Sequence, residues 1–379
     1  MNILVVCHYG LYQHLSASFV HNQAKAIAAA GHQVRVIIPT PVGKQFRGGK
    51  IGPLFYESEA DGVGLYYVRY LSASKIGKRF LNTQSAVCAL SPRLKRILKG
   101  FTPDVIHAHT LGVDSGVGRW LKKQLGCPLV VTTHGSDTFV PFAQGQQDHL
   151  RAFAKGADRV ICVSNLLKRH LEESGVSEPM EVILNGFRVS EVRVREKMPV
   201  SLVQAGYLVA RKKADVTIRA FAKLRRNHPE ATLTIVGSGT EEARFRALAQ
   251  ELELGDSIRF TGYLPNPLLL EEVAKARFFV MPSVREGFGI VYLEAMANRC
   301  VTIGTQGEGI ADLIESGHNG FLVPPDDPDA IAQVIEQCLA DPKEADQIAD
   351  RGYESAIGLT WEKNAADYAA LFEDLLCQK

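Results

Sequence analysis

At 379 residues the chain is too long for one ordinary hydrophobic core and suits two α/β domains. Its 46% apolar and 22% charged residues and net charge of +2 are those of a globular protein, and no stretch approaches the ~20 uninterrupted apolar residues of a membrane-spanning helix. The seven cysteines are scattered and odd in number, with no Cys-x-x-Cys pair, so reduced buried thiols in a cytosolic protein are expected, and no zinc site.

The chain opens directly into an apolar run, Ile3–Cys7, without the charged region of a signal peptide. A helical pattern follows from Ser18 to Ala30 and stops at Gly31. Further β-type runs are Gln33–Ile38, Leu65–Tyr70, Asp104–Ala108, Leu129–Thr133, Arg159–Val163 and Glu181–Leu184. Short apolar runs alternating with helical patterns argue for βαβ units and a parallel sheet. Pro179 and the charged, aperiodic run Arg188 to Pro199 mark a boundary. A second series begins at Ser201–Ala205 and continues with Thr232–Val236, Ser257–Thr261, Phe278–Met281, Val301–Gly304 and Gly320–Val323, with helices such as Asp215 to Arg226 and Thr240 to Glu251 between. The expected architecture is two doubly wound domains, residues 1–187 and 200–358, with a ligand cleft at the carboxyl ends of their strands. The last helix, Trp361 to Leu376, carries Trp361, Ala365, Tyr368, Leu371, Phe372 and Leu375 on one side and must bury that face. The segment 361–379 is expected to pack back onto the first domain.

From Gly62 through Pro103 there is no acid, while Arg69, Lys75, Lys78, Arg79, Arg93, Lys95, Arg96 and Lys99 all fall there. Two readings stand level: a solvated face balanced by acids elsewhere, or a basic surface for anionic lipid headgroups at up to ~1 kcal/mol per basic residue. No nucleic-acid recognition motif accompanies the charge, so nucleic acid is not expected as a partner.

Chemistry concentrates at strand ends. His8, His107, His109 and His134 lie at the tips of the first series, and His134 sits in Thr132-Thr133-His134-Gly135-Ser136-Asp137, where Asp137 is placed to orient or neighbour it. In the second series Gly206 is followed by Arg211, Lys212 and Lys213, cations suited to a departing diphosphate. Gly237 ends the next strand and offers close backbone approach to a phosphate or base; Tyr263 offers an aromatic to a nucleobase. Gly307-Glu308-Gly309-Ile310 reads as the opening of another helix. The most informative stretch is Phe279 to Ala297: a strand, the turn Glu286-Gly287-Phe288-Gly289, then a helix start. A helix start attracts anions, yet Glu286 and Glu294 bracket this one. Carboxylates there make sense if the ligand also presents hydroxyls, as a diphosphate with a sugar on each side does. The residues therefore point to a nucleotide-sugar site.

In this order, Ile106-His107-Ala108-His109, Thr132 to Asp137, Val182-Ile183-Leu184-Asn185-Gly186, Gly206 to Lys212 and Glu286-x7-Glu294 resemble the retaining glycosyltransferases of family 4, which have the two-domain GT-B fold. His134-Gly135-Ser136-Asp137 and Gly307-Glu308-Gly309-Ile310 are similar to those of bacterial enzymes building cell-surface polysaccharides. The resemblance implies two Rossmann-like domains, the first binding an acceptor and the second a nucleotide-sugar, here a UDP-sugar. It implies that Glu286 holds hydroxyls of the donor sugar, Glu294 the ribose, and the amides of Gly287, Phe288 and Gly289 the sugar and diphosphate. Lys212, with Arg211, would neutralise the diphosphate, and His134 would sit by the anomeric carbon. Ser18, His109 and Asp137 fall at the acceptor side. Transfer would retain configuration without a divalent metal or cofactor, the leaving phosphate taking the acceptor's proton. The product would be a glycan or glycolipid made at the cytoplasmic face of the membrane. The family's usual Gly-Arg-Leu reads Gly206-Tyr207-Leu208 here, leaving Arg211 to supply that cation, and its frequent Gly-Gly in the first loop is replaced by Ser16-Ala17-Ser18. A nucleotide-sugar epimerase on the same fold and a non-catalytic sugar or nucleotide clamp are the alternatives.

Overall fold

The computed structural model describes residues 1–8, 18–42, 53–72, 79–189 and 197–378. They form two compact units, Met1–Gly186 together with Trp361–Lys379, and Phe187–Thr360. Phe187, placed by the sequence at the end of the first domain, belongs to the second unit. Its N–H donates to Leu359 O (3.0 Å) and it bridges Thr360 in parallel.

Along the chain the first unit contains β1 (Asn2–Val6), α1 (Ser18–Ala29), β2 (Gln33–Pro41), β3 (Phe55–Ala60), β4 (Val63–Tyr70), α2 (Arg79–Leu90), α3 (Leu94–Ile97), β5 (Val105–His109), α4 (Val113–Leu125), β6 (Leu129–Thr133), α5 (Ser136–Ala143), α6 (Gln147–Ala154), β7 (Arg159–Cys162), α7 (Asn165–Glu173) and β8 (Met180–Val182). Its sheet runs β3-β4-β2-β1-β5-β6-β7-β8. Every residue of β5 and β6 is buried, which is why those strands read as continuous apolar runs rather than alternating ones. The exception to parallel pairing is β3, which lies antiparallel on β4 with Phe55 opposite Val68. Nothing in the sequence reading anticipated it. Its Phe-Tyr-Glu-Ser-Glu-Ala has no buried residue, and as an edge strand it carries the glutamates that protect such an edge.

The second unit contains β9 (Ser201–Ala205), α8 (Ala214–Leu224), β10 (Thr232–Val236), α9 (Glu242–Glu251), β11 (Ile258–Gly262), α10 (Asn266–Lys275), β12 (Phe278–Val280), α11 (Ile290–Ala297), β13 (Val301–Thr305), β14 (Phe321–Val323), α12 (Pro328–Ala340) and α13 (Pro342–Ile357). Its six strands are all parallel in the order β11-β10-β9-β12-β13-β14. That is the 3-2-1-4-5-6 order of the doubly wound nucleotide-binding fold, whose direction reverses between β9 and β12. The loops after those two strands are therefore where a ligand is expected. Phe221, Phe245, Phe278 and Ile235 fill the core beneath them.

The chain then returns to the first unit as α14 (Trp361–Cys377), with the face predicted from the sequence buried. It lies along α1, where Gln23 Nε2 donates to Asn364 Oδ1 (2.7 Å), and Asn364 Nδ2 donates to Leu184 O (2.7 Å). The Tyr368 hydroxyl reaches Thr132 Oγ1 at 2.9 Å. A helix more than 170 residues downstream is thus fastened to β6 by polar contacts as well as by its apolar face.

Candidate functional site

In the second unit, the loop after β9 winds one short turn, Ala210–Lys212, before α8. Gln204 Nε2 donates to the Lys212 carbonyl (2.8 Å), holding that turn to the strand end. Lys212 is only 8% exposed, and its Nζ lies 2.6 Å from Glu286 Oε2 and 3.6 Å from the Met281 sulfur. Arg211 Nη1 donates to the same Glu286 oxygen at 2.8 Å. The loops are also joined through their backbones, Val284 N–H to Arg211 O at 2.8 Å. Two non-glycine residues there, Lys213 (φ +52°) and Arg285 (φ +54°), hold left-handed backbone, strain that persists where surroundings enforce it. Burial would raise the Glu286 pKa, but the charges and hydrogen bonds of Lys212 and Arg211 outweigh it, so the carboxyl is held below its usual range and is ionised.

The rest of the turn is fixed by Glu308, whose Oε2 accepts from the Glu286 N–H (2.9 Å), and by the Gly309 N–H donating to Glu286 O (3.2 Å). A Cβ on Gly309 would stand 2.0 Å from Gly287 O, so only glycine lets the two loops touch. The Gly307–Ile310 run opens only a short 3-10 helix, Gly309–Asp312, and its start braces the Glu286 loop. Gly289 (φ +82°) begins α11, with Tyr292 stacked beneath it, and the Phe288 side chain is buried, so this loop presents backbone rather than the phenyl ring. Glu294, one turn into α11, accepts from Asn266 Nδ2 at 2.8 Å; burial raises its pKa and that bond lowers it less. Tyr263 is 46% exposed just past β11. Gly237 departs from expectation. The space left by its missing Cβ is taken by the Gly206 carbonyl oxygen, 1.9 Å from where a Cβ would lie, so its close approach is to the chain itself rather than to a ligand.

In the first unit three of the strand-end histidines lie together, His107 and His109 buried and His134 partly so. His109 Nδ1 and His134 Nε2 share a hydrogen bond of 3.0 Å with rings stacked at 5.2 Å, and His107 Nε2 bonds Thr132 Oγ1 at 2.8 Å. Burial depresses all three, reinforced at His107 and His109 by repulsion from neighbouring imidazoles: His107 to about 3, His109 well below its ordinary value, and His134 to about 4 despite the pull of Asp137. They are neutral at pH 7. Of the two roles the sequence left open for Asp137, it neighbours His134 rather than orienting its ring. Its Oδ1 accepts from the backbone N–H of His134 (3.1 Å) and Gly135 (3.0 Å), and its Oδ2 from Leu111 N–H (2.9 Å), so it shapes the loop. The His134 ring is turned inward: one nitrogen is engaged by His109 and the other, Nδ1, is buried without a partner among the described residues. Of Ser18 only the backbone is described, at the start of α1.

Beside these lies a cavity of about 250 Å³ lined by His8, Tyr70, Asn82, Thr110, Ser136 and Asp137 with the 111–113 backbone turn. Sequence reasoning missed its support, Asp114. That fully buried carboxylate, at the start of α4, bonds His8 Nδ1 (2.7 Å) and Thr110 Oγ1 (3.0 Å). Thr110 itself stands at φ +97°, a genuine outlier for a β-branched residue. An Asp two residues after a glycine is a weak signal, and nothing in sequence marks such a backbone.

The acid-free stretch is less basic than its composition. Arg69 is buried, Arg96 Nη2 pairs with Glu57 at 2.7 Å on β3, and the Arg93 guanidinium lies over the Phe55 ring at 5.8 Å. Lys95 and Lys99 remain exposed, while Lys75, Lys78 and the Arg79 side chain lie outside the described residues. Among the described residues no group of three or more His, Cys, Asp or Glu could hold a metal ion, and no helix is long and apolar enough to cross a membrane.

Residues 16–191 match Glycosyltransferase Family 4 and residues 189–355 match Glycosyl transferases group 1. The glycogen synthase of Mycobacterium tuberculosis is 28% identical over 357 residues, 87% of this chain and 83% of that one. Among solved structures, sucrose-phosphate synthase from Thermosynechococcus elongatus superposes with a TM-score of 0.78 at 23% identity over 100% of both chains. HepE of Anabaena, solved with UDP and glucose, gives 0.75 at 18% identity over 99% of this chain and 100% of that one. The fold is therefore GT-B, two Rossmann-like doubly wound parallel-sheet domains.

Proposed function

Residues 16–191 belong to Glycosyltransferase Family 4 and residues 189–355 to glycosyl transferases group 1, and on that premise we propose that this glycosyltransferase is a retaining, metal-independent hexosyltransferase using a UDP-sugar. Its acceptor is a hydroxyl of a glycan or glycolipid in cell-surface polysaccharide synthesis, bound by the first unit at the cytoplasmic face of the membrane. The observation that carries the reading is the convergence of Lys212 and Arg211 on one oxygen of Glu286, at 2.6 and 2.8 Å.

A departing nucleoside diphosphate develops negative charge that must be met in place, and preorganised cations do this without reorganisation at the moment of reaction. Until the donor arrives, Glu286 supplies the counter-charge. Once a diphosphate takes over that duty, the Glu286 carboxylate accepts donor-sugar hydroxyls, Glu294 with Asn266 reads the ribose, and Tyr263 flanks the base. As the bond from the anomeric carbon to phosphate breaks, the acceptor oxygen bonds that carbon on the same face, and the leaving phosphate oxygen takes the acceptor's proton. The UDP and glucose bound to HepE favour UDP as the nucleotide, and the name of the mycobacterial relative favours a polysaccharide product.

Lys212→Ala tests this. With Arg211 still present to keep Glu286 paired, the variant folds, and turnover with the best of a UDP-sugar panel falls by about 100-fold or more, the scale of losing one electrostatic stabiliser. Near-normal turnover in a folded variant removes Lys212, and with it the proposed chemistry.

A further inference from the structure

The cavity of the first unit is set to accept hydrogen bonds. Asp114 takes one from His8 Nδ1 (2.7 Å) and one from Thr110 Oγ1 (3.0 Å), both on Oδ2. Its two partners line the cavity, while Asp114 itself is wholly buried behind them. A carboxylate can only accept, so the imidazole proton is fixed on Nδ1 and the threonine proton is committed to Asp114. What each partner can then offer a ligand is a lone pair, on Nε2 of the neutral ring and on the Thr110 oxygen. Asp137, also in the lining, accepts three backbone N–H groups, and a carboxylate has sites for about four.

The charge around the cavity is negative and incompletely met. Asp114 Oδ1 is buried with no hydrogen-bond partner among the described residues, and no lysine or arginine is among the described lining residues. Tyr70 on the wall registers that charge: burial first, and then Asp114, push its phenol up to about 12, so it is neutral at pH 7. A partly satisfied carboxylate in a low-dielectric wall repels an anion and favours a guest rich in donors. The Thr110 backbone at φ +97° belongs to the same wall, and strain of that kind gathers where a ligand is clamped. At about 250 Å³ the cavity falls just under the usual range of ligand pockets, with room for one sugar ring.

We propose that the cavity takes one uncharged sugar unit of the acceptor, whose hydroxyls donate to His8, Thr110 and Asp137, and that it rejects acidic sugars. Asp114 is the positioning residue, setting the His8 tautomer and supplying the repelling charge. The proposal rests on the reading that the first unit binds the acceptor, and it narrows that acceptor to one with a neutral sugar where it enters the protein.

Ligand-observed NMR titration of the full chain, with UDP present, tests it with matched pairs: the methyl glycosides of glucose, galactose and mannose against those of the corresponding uronic acids. For at least one pair the neutral form binds about tenfold or more tighter than the acidic one. Asn82→Lys puts a cation on the wall at a half-buried helix position, and there the preference shrinks by about fivefold or more through tighter binding of the acidic form. In Asp114→Asn the neutral glycoside binds about tenfold more weakly, and nitrogen-15 spectra show the His8 proton no longer confined to Nδ1. Equal binding of neutral and acidic forms in every pair that binds overturns the neutral sugar and leaves the acceptor reading standing. An undiminished preference in Asn82→Lys overturns it too, by showing that the sugars bind elsewhere. So does a folded Asp114→Asn protein that keeps both the affinity and the Nδ1-protonated ring. If no glycoside of any pair binds, the cavity is not an acceptor site at all, and the reading on which the proposal rests falls with it.

Discussion

Lys212 Nζ lies 2.6 Å from Glu286 Oε2 across 74 residues of sequence, and both side chains are almost wholly withdrawn from water. A buried ion pair is weak evidence for stability, because desolvating two charges offsets most of their attraction. It is better evidence that the charges are wanted for something else. If Glu286 occupies the cations that a diphosphate would use, the two anions compete. Glu286→Gln should then bind UDP severalfold more tightly by calorimetry, while sugar transfer falls at least about 100-fold because one of the two accepting oxygens becomes a donor NH2 and the charge that strengthens the hydroxyl bonds is gone. The ligand-free variant should also melt lower, with two unneutralised cations, and recover with UDP. Weaker UDP binding than in the unaltered protein would mean that Glu286 supports the diphosphate instead of competing with it.

The alternation of apolar runs and helical patterns made both sheets legible, and Glu286, Glu294 and the cations Arg211 to Lys213 could be singled out from residue type and position, with Lys212 picked from among the three by the family resemblance. Their pairing could not, because a contact across 74 residues has no local period. Two kinds of feature stayed hidden. One was β3, whose polar face looks like a loop because an edge strand buries little. The other was backbone that meets backbone: Gly237 against Gly206 and Gly309 against Gly287 look, in sequence, the same as glycines that meet a ligand. Asp114 was missed for a related reason, since a carboxylate gains meaning only from the His8 and Thr110 atoms brought to it.

The Gly309 contact can be tested directly. A Cβ there would lie 2.0 Å from Gly287 O and 3.0 Å from Glu286 O, so the 286–289 loop must move. Gly309→Ala should cost about 1–3 kcal/mol of stability, as overpacking does, and weaken UDP-sugar binding about tenfold or more. Gly307→Ala is the control: it is strained at φ +75° but has nothing within 4 Å of the new methyl. It should lose stability with donor affinity unchanged. Equal donor affinity in both variants would show that the brace does not shape the site.

The histidines of the first unit make acid stability predictable in sign. Burial holds His107 at about 3 and His134 at about 4, with His109 also depressed, whereas the unfolded chain protonates histidine near 6.5. Below about pH 6.5 the unfolded state therefore binds protons that the folded state refuses, and stability falls as pH drops toward the folded values. Each histidine adds a slope approaching about 1.4 kcal/mol per pH unit in that window and nothing above it. The melting temperature should be level from pH 8 to about 7 and then fall steeply toward pH 5. His107→Leu, which leaves Thr132 bonded to Tyr368, should flatten the fall. A level profile down to pH 5 would require charged histidines in the fold.

The final helix offers a graded test of polar against apolar fastening. Tyr368→Phe removes a hydroxyl whose partner Thr132 Oγ1 keeps its bond to His107, so no buried group is left without a partner on that side, and the cost should be about 1 kcal/mol. Asn364→Ala is different in kind. It leaves the partly buried Leu184 carbonyl without the amide it accepted from, and takes from Gln23 Nε2 the carbonyl it donated to, leaving Gln23 only its bond to Tyr368. Stranded buried groups carry a desolvation penalty of about 1–3 kcal/mol each, so this variant should be the more damaging by several degrees of melting temperature. Both residues and all of these partners lie in the first unit. Where calorimetry resolves two transitions, only one should shift, and UDP, which the proposed function assigns to the other unit, should raise the transition that does not. A Tyr368→Phe loss equal to that of Asn364→Ala would show that the helix is held by packing alone, with the buried amide contributing nothing of its own.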